Sequence, residues 1–509
     1  MRALAPLPRP SWRAGAVLGT CVVAWLTFHH GALRSPDCEV QFRACAALAT
    51  TGRSAVAEEL PWHGFGLATG TDGRRYSIFG PLQPLVCAPM YALSRAVSHD
   101  GATGPYADPP RNSLYAGGDI ALHIARAPVA QPAAHRMRAW LSLFNVGISL
   151  ALVAAFAWLA QALVRPATAW AGAALLGLGT LVWPFAGTFF SEPLATGFAL
   201  LAVGAALRVE RQRFAAPLAG LAVGLAGCAH VTAVLFVPTV AALLWLRSDP
   251  SVRKRAAVQA SVGLALPLLA LGAFNVARFG SPWETGRSVD PRAALEFGYG
   301  HLVSPLRGLY GLTLGAGKGL LWYAPLCAVG LGLLGWLSRR DRPLAWVIGL
   351  TVALRLLVIA SRSDWHAGFG LGPRLLFPLL PLCLLPLVLW LDGGPPHRRL
   401  QVAVLGGLAA AQQAFFVGGE PFAFQQLTWH AYETRGIAAF AADRIYLDWA
   451  IAPVLHLHAG PPGPWWSRAA TAGDDPLSIP LVVVSGLLAG ALVWWVAARE
   501  RPQPDGARP

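Results

Sequence analysis

Residues 14–43 read AGAVLGTCVVAWLTFHHGALRSPDCEVQFR: an apolar run ending near Leu33, then an acidic pair, Asp37 and Glu39. Arg2, Arg9 and Arg13 precede the run. A basic leader before an apolar segment is the pattern of a secretory signal, but no small-x-small cleavage site follows. The segment therefore reads as an uncleaved anchor with its N-terminus in the cytoplasm. The polar stretch Ser35–Gly80 then lies outside, and the rest of the chain must be a scaffold that holds it at one membrane face.

Composition supports the membrane reading. Of 509 residues, 55% are hydrophobic and 13% charged, with a mean hydropathy of +0.49. Soluble domains carry about 25% charged residues, so this chain cannot cover itself with a solvated surface. The net charge of +15 comes almost wholly from arginine, since Lys254 and Lys318 are the only lysines. The basic clusters fall in short loops between apolar runs, where they act as topology signals rather than a nucleic-acid surface. Cysteines suggest no zinc site. Cys38 stands between the two acids and Cys45 seven residues further on, and a disulfide between them is an open alternative on an oxidising side.

After the anchor, apolar runs near 138–164, 168–186, 189–207, 214–229, 231–247, 256–275, 318–337, 343–361, 372–391, 400–418 and 477–498 approach the length that crosses a core about 30 Å thick. The expected fold is an all-α polytopic membrane protein of about 12 (12–13) transmembrane helices, with juxtamembrane helices in a long first external loop. Arginine clusters at 208–213, 247–255, 339–342, 398–399 and 499–501 mark the cytoplasmic side. Both termini are then inside, so the number of crossings is even. Pro81–Val97 carries Pro81, Pro84 and Pro89 and reads as juxtamembrane or re-entrant. The organisation is a cytoplasmic N-terminus 1–13 and a transmembrane core 14–418 with its first external loop at 34–137. An external loop 419–476, a last helix 477–498 and a cytoplasmic tail 499–509 follow. Nineteen of the 25 acidic residues fall in or beside the external segments, so the chemistry is expected to face outward.

Several side chains there can do chemistry. Asp37 and Glu39, at i and i+2, cannot share a helix face; on a loop one would enter a site while the other supports it. The competing reading is a helix N-cap with acids in the first turn. Arg74, Arg75 and Tyr76 precede Phe79-Gly80-Pro81. Arginine forks suit phosphate, although the same residues also anchor at headgroups. Lys318 lies among glycines at the outer mouth of a span and either meets a ligand or snorkels. Glu192 opens a span, His230 sits at a hairpin turn, and Trp365 and His366 precede Arg374. Arg374 enters an apolar run and should face a cavity or a partner.

Taken in order, SPDCEVQF (35–42), DGRRYSIFGPLQPLVCAPMYAL (72–93), LGLGTLVWPFAGTFFSEPLA (176–195), GSPWETG (280–286), GLYGLTLGAGKGLLWYAPL (308–326) and WHAGFGLGPRLLFPLLPL (365–382) resemble the C-type (GT-C) glycosyltransferases, which use polyprenyl-phosphate sugars. The branch is that of protein O-mannosyltransferases and aminoarabinose transferases. The resemblance implies an inverting transfer to a glycan, lipid or protein hydroxyl, at the outer face of a bacterial cytoplasmic membrane. It implies Asp37 as the base, Glu39 as its acidic companion and the Arg74–Tyr76 cluster on the donor phosphate, helped by Lys318 or Arg374. Glu192, His230, Trp365 and His366 would line the substrate pocket. The chain departs from the family where relatives carry a Pro-Pro element and this one reads Phe79-Gly80-Pro81-Leu82; the insertion 99–136 is long and is expected to shape acceptor binding. Some members use a divalent metal and others none, and the residues leave that open. A flippase or polysaccharide transporter and a non-catalytic assembly protein are the rival classes. A transporter would show charges deep in the spans, and here Arg355 is almost alone.

Overall fold

A computed structural model describes residues 12–29, 31, 33, 35–56, 66–98, 132–288, 302–368, 370–418, 444–449, 452–456 and 478–498. The expected tail 499–509, the first eleven residues, positions 99–131 of the long insertion and most of the loop 419–476 lie outside the described residues.

The fold is that of a helical polytopic membrane protein. Six helices among the described residues are long and apolar enough to cross a bilayer: Met137–Ala160, Arg253–Phe279, Arg342–Ala360, Arg374–Leu391, Pro396–Gly418 and Pro480–Ala498. The apolar helices Trp12–Thr27, Glu192–Ala206, Ala215–Ala229 and Val231–Arg247 are shorter. Two further expected crossings are helical but broken. One divides at Thr180 into Pro166–Gly179 and Val182–Ala186; the other divides into Leu320–Tyr323, Pro325–Gly332 and Leu334–Arg340. Length and apolarity thus mark six full spans where the sequence reading expects twelve.

The spans differ sharply in what they face. The apolar window of Arg253–Phe279 is 6% buried, and Val258, Val262, Leu266 and Leu269 point outward. That of Arg374–Leu391 is 94% buried, which makes it the central helix of the bundle. An apolar surface turned outward suits lipid, while a helix apolar all round belongs in the core. Polar contacts gather at two ends. Arg165 Nε reaches Asp392 Oδ1 at 3.0 Å, and Arg247 pairs with Asp341, at the end expected to be cytoplasmic. Asp37, Glu192, His230 and Arg374 meet at the other.

The stretch expected to be the first external loop follows α1 (Trp12–Thr27) and begins with α2 (Pro36–Thr51), whose residues 38–47 are all buried. Cys38 and Cys45 are free. Seven residues along one helix separate them by roughly 10 Å, beyond the reach of a disulfide; the open alternative is thereby settled against a bridge. Next come three short strands that the all-α expectation did not contain: β1 (Ala55–Val56), β2 (Leu67–Thr69) and β3 (Arg75–Ser77), antiparallel in the order β1-β3-β2. Tyr76 pairs with Ala55 on one side and Ala68 on the other. Gly80 then passes so close to the end of the Ala215–Ala229 helix that a Cβ would lie 2.4 Å from the Cys228 and Ala229 carbonyl oxygens. Only glycine fits there. Helix α3 (Leu82–Ser98) buries Gln83, Cys87, Tyr91 and Ser94 and exposes Leu85, Val86, Leu93 and Val97. One face of this helix thus packs on protein and the other presents apolar side chains outward.

Candidate active site

Three elements bring one guanidinium between two carboxylates. Ser35 precedes α2 and Pro36 starts it, but Ser35 makes no side-chain cap bond. Asp37 sits in the first turn, where the helix dipole favours an acid. Its Oδ2 lies 2.7 Å from Arg374 Nη2. Asp37 and Glu39 are thus on a helix, about 200° apart around its axis, and face opposite ways rather than projecting from a loop. Arg374 begins the 3₁₀ turn Arg374–Leu379 that leads into the central helix. Its Nε approaches Glu192 Oε1 at 3.3 Å, in a direction that misses hydrogen-bond geometry, so this contact is an ion pair only. The guanidinium also lies 4.3 Å over the Phe190 ring. The Asp37 side chain is 16% exposed, and its Oδ1 makes no hydrogen bond among the described residues.

Glu192 is aimed by the backbone before it. Gln83 Nε2 donates to Phe189 O at 2.6 Å and Asn145 Nδ2 donates to Phe190 O at 2.8 Å. Two buried amides therefore fix the turn from which Ser191 and Glu192 start the next helix. His230 Nε2 is 3.9 Å from Glu192 Oε1, and His230 Nδ1 is 2.8 Å from Thr232 Oγ1.

Beside this group is a cavity of about 40 Å³, bordered by Gly80, Ser191, His230, Asn275, Arg278 and Arg287 among others. Arg278, like Arg287, is a residue that sequence reasoning missed. Its guanidinium lies 4.0 Å over Phe274 and 4.7 Å over Phe279, Nη1 donates to Ser77 O at 2.8 Å and Nη2 to Asn275 Oδ1 at 2.8 Å. Its Nε is buried without a hydrogen bond. A signal did exist: an arginine at the end of a span expected to be external runs against the positive-inside bias and needs another reason to be there.

Other expected site residues lie apart from this group. Glu39 is fully enclosed, with Oε1 at 3.0 Å from Arg43 Nε and 2.6 Å from Arg138 Nη2 and Oε2 at 2.8 Å from Arg138 Nε. Burial alone pushes its carboxyl up, but Arg138 and Arg43 outweigh it and hold it below its usual range. Glu39 fastens α2 to the Pro132–Ser142 helix. Arg74 is half exposed, 3.8 Å from Asp72. Tyr76 donates to Asp72 Oδ2 at 2.8 Å and packs on Phe279, while Arg75 pairs through its backbone in β3. Their place is the small sheet, not the Arg374 cluster.

Lys318, Trp365 and His366 form a third group. The buried Lys318 ammonium donates to Gly368 O at 2.9 Å and Gly370 O at 2.6 Å and lies 5.0 Å over Tyr446, whose ring stacks on His366 at 4.3 Å. Two of its three N–H donors hold the loop before Arg374. That loop turns through left-handed backbone at Ala367 (φ 58°), Gly368 and Gly372, a conformation unfavourable for alanine by about 1–2 kcal/mol. Trp365 fills the space opened by Gly311, where a Cβ would lie 2.2 Å from its ring.

No group of three or more His, Cys, Asp and Glu side chains that could hold a metal ion occurs among the described residues. The carboxylates of Asp37 and Glu192 face Arg374 instead.

No protein-family model and no curated protein matches the chain. Among solved structures it is similar to ArnT from Cupriavidus metallidurans bound to undecaprenyl phosphate, with 15% identity, 96% of this chain and 78% of that chain covered, and a TM-score of 0.45. It is also similar to the archaeal oligosaccharyltransferase AglB from Archaeoglobus fulgidus in complex with an inhibitory peptide and a dolichol-phosphate (10% identity, 96% and 56% covered, TM-score 0.47). A third likeness is to the S. cerevisiae protein O-mannosyltransferase Pmt1–Pmt2 complex bound to the sugar donor (13% identity, 60% and 37% covered, TM-score 0.35). At such identities and TM-scores the likeness assigns no residue and no substrate to this chain.

Proposed function

We propose that this protein is an integral-membrane glycosyltransferase that moves a sugar from a polyprenyl-phosphate donor to a hydroxyl acceptor. The observation that carries the reading is Asp37: one carboxylate oxygen is tied to Arg374 and the other makes no hydrogen bond among the described residues, while His230, 3.9 Å from the Glu192 that also meets Arg374, borders a cavity lined by Arg278 and Arg287. The arginine bias of the loops puts that end of the bundle at the outer, periplasmic face of a bacterial cytoplasmic membrane. The order of the sequence motifs supports the same class.

In this mechanism the acceptor oxygen attacks the anomeric carbon while Asp37 Oδ1 takes its proton. The bond from that carbon to the phosphate oxygen breaks on the opposite side, which inverts the configuration, and its electron pair leaves with the lipid phosphate. Arg278 and Arg287 stabilise the charge that develops there. Arg374 fixes the orientation of Asp37, and Glu192 fixes Arg374. The phosphate role thus passes from Arg74 and Arg75, at the start of the third strand, to the arginines at the cavity.

A transporter reading draws on Arg355, the charge within a span. Its Nε donates to Leu375 O at 2.9 Å, Nη1 to Thr232 O at 2.8 Å and Nη2 to Thr232 Oγ1 at 2.9 Å. All three nitrogens fasten helices, so the residue serves the fold rather than a path. Purified protein in vesicles with radiolabelled polyprenyl-phosphate sugar separates the classes. Label moving onto a hydroxyl acceptor is the expected result. Lipid crossing the bilayer without transfer, or no reaction with any acceptor, overturns the proposal.

A further inference from the structure

His230 has two ring nitrogens with different surroundings, and the hydrogen-bond inventory around it decides which one carries the hydrogen. Thr232 Oγ1 has one hydrogen and two lone pairs. Arg355 Nη2 donates to it at 2.9 Å, and a guanidinium can only donate. The Arg355 fork cannot rotate away, because Nε and Nη1 are bonded to Leu375 O and Thr232 O. The hydroxyl hydrogen of Thr232 therefore needs an acceptor, and the one in reach among the described residues is His230 Nδ1 at 2.8 Å. Were the hydrogen on Nδ1 instead, Thr232 would accept twice and its own hydrogen would have no partner among the described residues, a costly arrangement at a half-buried site.

The other nitrogen is left unspent. At 3.9 Å, Glu192 Oε1 is too far from Nε2 for a hydrogen bond, and Nε2 makes none among the described residues. The ring borders the cavity that Arg278 and Arg287 also line.

We infer that Thr232, pinned by Arg355, holds His230 in the tautomer with its hydrogen on Nε2, so that a neutral imidazole donates a hydrogen bond to an anionic phosphate oxygen in the cavity. The phosphate part rests on the function proposed above; the tautomer does not. Thr232 and Arg355 are positioning residues that act through the ring. A neutral donor suits this place, where Arg278, Arg287, Arg355 and Arg374 already supply positive charge: it adds direction without adding repulsion. The fixed tautomer also gives one face of the cavity a single hydrogen-bond polarity, so an oxygen acceptor is favoured there over a second donor.

The test uses the full chain in lipid nanodiscs with isotope-labelled histidine. The sequence has 13 histidines, so the difference spectrum between wild type and His230→Gln isolates this ring. Its ring-carbon and ring-nitrogen shifts are expected to report hydrogen on Nε2. Thr232→Val, which keeps the shape and removes the hydroxyl, shifts the ring to a mixture or to the Nδ1 form. Thr232→Ser restores the wild-type spectrum. Undecaprenyl phosphate is the binding probe: its affinity falls about tenfold in Thr232→Val and stays within about twofold in Thr232→Ser. Hydrogen on Nδ1 in the wild type overturns the inference outright. A tautomer that shifts in Thr232→Val with unchanged affinity overturns its phosphate part. If wild type shows the Nε2 form yet binds no undecaprenyl phosphate, the tautomer stands and the glycosyl-transfer reading fails with the phosphate part.

Discussion

Arg374 Nη2 lies 2.7 Å from Asp37 Oδ2, joining the first turn of α2 to the mouth of the most deeply buried span. The contact ties α2 to the most buried helix of the bundle. Arg374 also meets Glu192 at 3.3 Å, so one guanidinium organises two carboxylates from separate elements. A planar fork suits this better than an ammonium would. Arg374→Lys is accordingly expected to fold but to lose transfer by about 100-fold, because a misplaced base costs rate rather than stability. Turnover near wild type in that variant contradicts the role given to the fork.

Glu39 is expected to matter for folding and not for chemistry. Removing it leaves Arg43 and Arg138 buried without their carboxylate, and breaking a buried pair in this way costs about 3–5 kcal/mol. Glu39→Ala should therefore lower the melting temperature strongly while the folded fraction still binds undecaprenyl phosphate. A variant that melts like wild type but no longer turns over returns Glu39 to the chemistry.

The same carboxyl gives a pH dependence. It is depressed in the folded state, so its contribution is present above the unfolded value of about 4.3 and is lost as pH falls through the lower folded value. Wild-type melting temperature is expected to drop below about pH 4, and Glu39→Gln should flatten that drop. Parallel acid profiles for the two proteins contradict it.

Donor binding is expected to depend on the cavity arginines. Arg278→Gln and Arg287→Gln should each weaken undecaprenyl phosphate binding by about tenfold, while Arg74→Gln stays within about twofold, because Arg74 is half exposed beside Asp72. The reverse ranking moves the phosphate site to the sheet.

Lys318 is expected to act through the loop it holds. Lys318→Met removes the donors to Gly368 and Gly370 and should reduce kcat by about 10- to 100-fold through a loosened Arg374, with undecaprenyl phosphate affinity within about threefold. Lys318→Arg should not restore it, since the side chain is fully buried. Loss of affinity with unchanged kcat would place the ammonium on the donor instead.

Much of the fold was legible because a bilayer imposes length and hydropathy on every span. Asp37 was legible as one of two acids beside the anchor, and Arg374 as a charge that lipid would not tolerate. The division of labour between Asp37 and Glu39 was only half legible. Their spacing implies opposite faces, but which face meets the site depends on Arg138 and Arg374, both distant in sequence. The small sheet escaped because strands of two and three residues show no readable alternation. Adjacency of Arg74, Arg75 and Tyr76 along the chain likewise says nothing of the pairing of Arg75 with Val56 and Thr69 or of Tyr76 with Ala55 and Ala68. The broken spans near Thr180 and Ala324 read as continuous because apolar runs do not reveal where a helix is interrupted.

The most direct measurement is sugar transfer by Asp37→Asn, with undecaprenyl phosphate affinity and melting temperature taken on the same preparation. Transfer is expected to fall by about 100- to 10,000-fold, the range for losing a general base, while affinity and melting temperature stay close to wild type. Transfer within a few-fold of wild type in a protein that folds and binds normally would contradict the assignment of Asp37 as the base.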